Sequence, residues 1–90
     1  MIKFDNYIYE REHGKQPRGV GKWAFILWVK NGKQSDELLT KQNCPFEHYA
    51  HGNYVYVWAS DVMLLTQAKN EVGDWFKHNG LWNGIIYVAD

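Results

Sequence analysis

The feature that most constrains this chain is Trp23-Ala24-Phe25-Ile26-Leu27-Trp28-Val29, seven consecutive apolar residues closed by Lys22 before and Lys30 after. A run this short and this rich in aromatic and branched side chains reads as a strand. With no polar face, it has to be covered on both sides, so it belongs at the centre of a sheet. Its natural neighbour is Asn53 to Ala59, where Tyr54, Tyr56 and Trp58 alternate with Val55, Val57 and Ala59. Side chains alternate across a strand, so pairing the two segments sorts them into two faces. Trp23, Phe25, Leu27 and Val29 join Val55, Val57 and Ala59 on one; Ala24, Ile26 and Trp28 join Tyr54, Tyr56 and Trp58 on the other.

From Val62 to His78, Leu65, Ala68, Val72, Trp75 and Phe76 fall on one helical stripe. Ser60-Asp61 offers an N-cap and Asn79-Gly80 a left-handed C-cap, while Gly73 weakens the helix by about 1 kcal/mol relative to Ala. Ile2 to Glu12 is rich in β-formers and reads as a first strand with a bend at Asp5-Asn6. His13 to Gly21 holds three glycines and a proline and reads as a loop. Asn31-Gly32 predicts a type I′ hairpin turn into a short edge strand from Lys33 to about Leu39. Residues 40–52 lack a period and read as a long loop, and Leu81 to Val88 is the closing strand. In 90 residues this is one small domain. The expected fold is α+β in two layers, a four- to five-stranded mainly antiparallel sheet in the order β-β-β-β-α-β with one helix packed on one face.

Lysine plus arginine equals aspartate plus glutamate at 10 each, so the net charge is zero. A chain that grips many phosphates carries a basic excess, and a nucleic-acid mimic carries an acidic one; neither is present. A weak polarity runs along the chain. Lys3, Arg11, Lys15, Arg18 and Lys22 outnumber Asp5, Glu10 and Glu12 by 5 − 3 = 2 in residues 1–22, whereas Asp61, Glu71, Asp74 and Asp90 outnumber Lys69 and Lys77 by 4 − 2 = 2 in residues 48–90. No apolar run approaches the roughly 18 residues of a membrane span, and Met1-Ile2-Lys3-Phe4-Asp5-Asn6 does not read as a secretory leader. The lone Cys44 cannot close an intramolecular disulfide, which fits a reducing cytoplasm.

Chemistry-bearing residues are sparse. Cys44, His48 and His51 are zinc-ligand types close in sequence, but a structural zinc takes four ligands and no fourth is evident. Pro45 follows Cys44 directly, and no helix start is there to activate a thiolate. Gly19-Val20-Gly21 precedes a strand instead of the helix that a phosphate loop requires. The expectation is therefore no catalytic residue, no metal and no cofactor. The aromatic residues carry the functional signal. A helix covers one sheet face, which leaves Trp28, Tyr54, Tyr56 and Trp58 as a binding surface, with Arg18, Lys22, Lys30 and Lys33 as candidate basic contacts, unless the N-terminal segment or the 40–52 loop folds across it.

Pro17-Arg18-Gly19-Val20-Gly21-Lys22-Trp23-Ala24-Phe25, followed by Thr66-Gln67-Ala68-Lys69 and a terminal Ile85-Ile86-Tyr87-Val88 strand, resembles small phage and prophage proteins. Those share a Gly-x-Gly-x-Trp-Ala-Phe strand and a Thr-Glu-Ala-Lys helix start, of which Gln67 replaces the acid. The resemblance spans most of residues 17–88. It implies a non-enzymatic inhibitor of the anti-CRISPR or anti-defence kind, acting in the bacterial host cytoplasm on a host protein or ribonucleoprotein complex. A second copy of the chain is the other partner that the face with Trp28, Tyr54, Tyr56 and Trp58 admits. A looser similarity, through Trp23, Gly32-Lys33 and Ala68, is to integrase arm-binding domains. It implies a weak nucleic-acid-binding sheet, although such modules are normally basic and this chain is not.

Overall fold

A computed structural model describes residues 2–90. The fold is α+β, with a five-stranded sheet, a separate two-stranded ribbon and three helices. The elements in chain order are β1 (Lys3–Asp5), α1 (Tyr7–His13), β2 (Val20–Gly21), β3 (Ala24–Trp28), α2 (Gly32–Lys41), β4 (His48–His51), β5 (Tyr54–Trp58), β6 (Met63–Leu64), α3 (Leu65–Asn79) and β7 (Ile85–Val88). The large sheet is ordered β1-β7-β3-β5-β4, and β2 pairs with β6. Among the described residues only the β1–β7 pairing is parallel, so the sheet is mainly antiparallel as expected.

The central strands sort their faces as the alternation predicts. Phe25 stands opposite Val57 and Leu27 opposite Val55, while Ala24, Ile26 and Trp28 stand opposite Trp58, Tyr56 and Tyr54. The main core joins Phe25, Leu27, Val55, Val57, Ile86 and Val88 of the sheet to Ala68, Val72 and Phe76 of α3 and Leu39 of α2. Trp23 lies in the same core, and its indole N–H donates to the Met63 carbonyl at 2.9 Å, which ties the small ribbon to the sheet.

Five expectations are corrected. The Ile2–Glu12 strand is three residues of strand followed by a helix. The Asp5 carboxylate accepts the Tyr7 N–H at 2.9 Å and turns the chain, and Gly14, at φ 68°, closes α1 by donating its N–H to the Glu10 carbonyl. The Asn31-Gly32 hairpin turn is a helix start instead. Asn31 is extended (φ −143°, ψ 106°), not in the positive-φ conformation that a type I′ turn needs, and its side-chain oxygen accepts the Gln34 N–H. The predicted Lys33–Leu39 edge strand is therefore helix α2. The 40–52 loop contains β4, whose hairpin with β5 turns at Gly52-Asn53 with Gly52 at φ 58°. Finally, α3 begins at Leu65 and not behind Ser60-Asp61. Ser60 spends its N–H and hydroxyl on the Glu71 carboxylate, Asp61 accepts from Val62, and Met63–Leu64 is held in the ribbon. The Gln67 side chain accepts the Leu64 N–H at the true start, and Gly80 (φ 61°) supplies the left-handed C-cap.

Candidate interaction surface

The expected binding face is the side of the sheet turned away from α2 and α3. Its centre follows from the β3–β5 register, which sets Trp28, Tyr54, Tyr56 and Trp58 on one side. The β4–β5 register adds Tyr49 beside Tyr56 and His51 beside Tyr54, and the β3–β7 register adds Tyr87 beside Ile26. The rings form a continuous ladder. Centroids are 6.4 Å apart for Tyr49–His51, 5.4 Å for His51–Tyr54, 5.3 Å for Tyr54–Tyr56 and 5.7 Å for Tyr56–Trp58. Trp28 meets Tyr54 edge to face at 5.1 Å and Tyr87 at 6.5 Å. Edge-to-face and offset contacts at these distances add favourable quadrupole interactions to the area that the rings bury.

The face is only partly covered. The helix α1, from the N-terminal segment, crosses one side of it and buries Ile8 against Ala24, Ile26 and Ala89. Tyr54, Tyr56, Trp58 and Tyr87 stay half-buried beside it, while Trp28 is 46% and Tyr49 56% exposed. Between helix and ladder lies a cleft of about 140 Å³ lined by Ile8, Arg11, Glu12, Trp28, Tyr54 and Tyr56. Burial pushes the Tyr56 phenol up from its ordinary value, and neighbouring Tyr54 and Glu12 push it further the same way. It remains a neutral hydroxyl, able to donate and accept, through the whole neutral range.

One cation, Arg11 of α1, lines the cleft beside Glu12, and the basic residues expected from the sequence do not gather there. Lys33 lies on α2, in the opposite layer, because the segment that carries it is helix and not edge strand. Lys22 forms an ion pair with Glu47 at 3.4 Å. Arg18 sits in the loop after α1, lining a cleft with Tyr9, Lys15 and Gln16. Lys30 is exposed beyond the end of β3, its carbonyl accepting from the Asn53 side chain. Glu12 is the acid that lines the cleft.

The three zinc-ligand types are also dispersed. His51 is in the ladder, whereas His48 lies on the core side of β4 and meets the Asp36 carboxylate of α2 at 2.6 Å, clamping helix to strand. Cys44 closes the turn after α2, where its N–H donates to the Leu39 carbonyl, and burial raises its thiol pKa, which suppresses the thiolate. Among the described residues, no three His, Cys, Asp or Glu side chains come together as metal ligands.

Tyr49, His51 and Tyr87 are ladder residues that sequence reading left out. Tyr49 and His51 fall in the segment read as loop, although Gly52-Asn53 is itself a two-residue hairpin signal and His48-Tyr49-Ala50-His51 leads into it. Among the described residues no helix is long and apolar enough to cross a membrane. No protein-family model, curated protein or solved structure matches this chain.

Proposed function

We propose that this chain is a non-enzymatic binding protein that docks a partner protein on the aromatic face of its sheet. In keeping with the resemblance to small phage proteins, the partner is a component of a host macromolecular complex in the bacterial cytoplasm that the chain inhibits or redirects. The observation that carries the reading is the ladder itself: seven aromatic rings, Tyr49, His51, Tyr54, Tyr56, Trp58, Trp28 and Tyr87, linked by stacked, tilted and edge-to-face contacts on a face that α1 covers on one side only. Interface hot spots are enriched in Trp and Tyr, which combine a large apolar area with a polar group and little rotamer entropy. The same rings could stack on unpaired bases, but a nucleic-acid platform also needs cations along the backbone path. Here the one cation in the cleft, Arg11, stands beside Glu12, Lys33 is in the other layer and Lys22 is paired with Glu47. A protein partner is the better fit.

The test compares the wild-type chain with Trp28→Ala and Tyr49→Ala in capture from a bacterial lysate, alongside sedimentation and far-UV circular dichroism. A protein retained by the wild type and lost by both folded variants, each losing roughly 2 kcal/mol or more of binding, supports the reading. A sedimenting dimer that both variants dissolve makes the partner a second copy. Captured material whose retention collapses between low and moderate salt and is nuclease-sensitive moves the function to nucleic acid. Identical capture by all three proteins overturns the proposal.

A further inference from the structure

Among the described residues no strand pairs with the outer side of β1, and this edge borders a groove on the other side of the molecule from the ladder. In the parallel β1–β7 pairing, the Lys3 N–H donates to the Gly84 carbonyl at 3.2 Å. Alternate residues of a parallel strand bond to the same neighbour, so Lys3 and Asp5 turn their backbone groups to β7. Phe4 turns its N–H and C=O outward. Its ring packs the opposite way, edge to face on Phe25 at 5.4 Å, and lies against Gly73 of α3. A β-carbon at Gly73 would stand 3.2 Å from that ring, so the missing side chain lets helix and edge strand close to form a floor.

Two cavities run along this seam. One, of about 380 Å³, is lined by Ile2, Phe4, Lys69, Gly73, Asp74 and Lys77. The other, of about 430 Å³, continues it past Gly80, Leu81 and Trp82 and shares Ile2 and Lys77 with the first. Lys69, Gly73 and Lys77 succeed one another at i, i+4 spacing, which puts them on one stripe of α3. The Lys69 ammonium stands 5.9 Å over the Phe4 ring, and among the described residues neither lysine forms an ion pair. Two lysines against the single Asp74 leave this wall with one positive charge in excess.

We propose that this groove binds an extended acidic peptide segment as an added strand on β1. The Phe4 N–H and C=O pair with the peptide backbone, Ile2 and the Phe4 ring receive its apolar side chains, and Lys69 and Lys77 receive its carboxylates. Strand addition at an open edge draws affinity from main-chain hydrogen bonds and specificity from the alternating side chains. Charges on the rim set partner choice and association rate. Lys3, the residue of β1 that could guard the edge, is in register with Ile85 and so turns toward the α1 side of the sheet.

The probe is a displayed library of random linear peptides selected on the full chain. Enriched peptides are expected to alternate apolar residues with Asp or Glu. Their affinity should fall about tenfold or more in the double variant Lys69→Glu, Lys77→Glu, and hydrogen exchange at the Phe4 amide should slow when they bind. Lys77→Gln, at an exposed position in the last turn of α3, supplies the same comparison should the double variant not fold. No enrichment, enrichment without acidic residues, undiminished binding by the charge variants or unchanged exchange at Phe4 would each overturn the proposal. Peptides displaced by Trp28→Ala and not by the lysine variants would place them on the ladder, sinking the groove while leaving the aromatic reading intact.

Discussion

Phe25 concentrates the logic of this core in one side chain. It is fully buried, stands between Val57 and Val88 in register, and shares its cluster with Val72 and Phe76 of α3. Its neighbours Ala24 and Ile26 are buried on the opposite face, so a one-residue slip of the strand would exchange the two cores. Phe25→Ala should destabilise the fold by about 3–5 kcal/mol, the range for deleting a buried aromatic side chain and leaving a cavity. Denaturant titration measures this, and a loss below about 1 kcal/mol would mean that the site collapses around the smaller residue. The assignment was legible because period-2 alternation in β5 labels the two faces, and an antiparallel partner must match them.

At the scale of the element, Asn31-Gly32 shows how one dipeptide serves two structures. Asn accepts a backbone N–H at a helix start as readily as it adopts positive φ in a hairpin, and short-range sequence does not distinguish these uses. What decides is the partner segment. A β-carbon on Gly32 would lie 2.6 Å from the Gly52 carbonyl and 3.1 Å from that of Tyr54, so α2 starts hard against the β4–β5 turn. Asn31→Ala should cost about 1 kcal/mol through loss of the cap. Gly32→Ala should cost more, because a backbone carbonyl cannot step aside as a flexible side chain can. Thermal unfolding of the two variants checks the order; equal losses would mean that the contact relaxes freely. The segment from Lys33 to Leu39 reads from its sequence as an edge strand, and its few β-formers were the one local sign against that reading. The displacement of the hairpin by a helix was not legible.

For the whole molecule, the second face of the sheet is shared between α1 and the aromatic ladder. Ile8 is 5% exposed and packs with Ala24, Ile26 and Ala89, so α1 is anchored there by one large aliphatic side chain and its neighbours. Tyr9, the next residue, belongs to the main core beside Trp23 at 6.0 Å, which pins the helix from the other side. Ile8→Ala should destabilise by about 2–5 kcal/mol. In native-state hydrogen exchange, amides of α1 should lose protection before those of α3, since α1 gives the main core Tyr9 alone whereas α3 gives it Ala68, Val72 and Phe76. Equal loss in both helices would instead make α1 part of the cooperative core.

The sequence by itself determined the α+β class, the central antiparallel pair, the sorting of its two faces, the apolar stripe of α3 and its Gly80 cap. Each of these is written in a local period or a local backbone requirement that no neighbour overrides. Tertiary structure alone decided that Tyr7–His13 coils, that Asn31 caps instead of turning, that β1 runs parallel to β7, and that Tyr49, His51 and Tyr87 join the ladder. In each case the local signals were balanced or weak. The balance was tipped by groups distant in the chain: the sheet face that receives Ile8, the Gly52 carbonyl against Gly32, and the β5 and β3 edges that accept their neighbours.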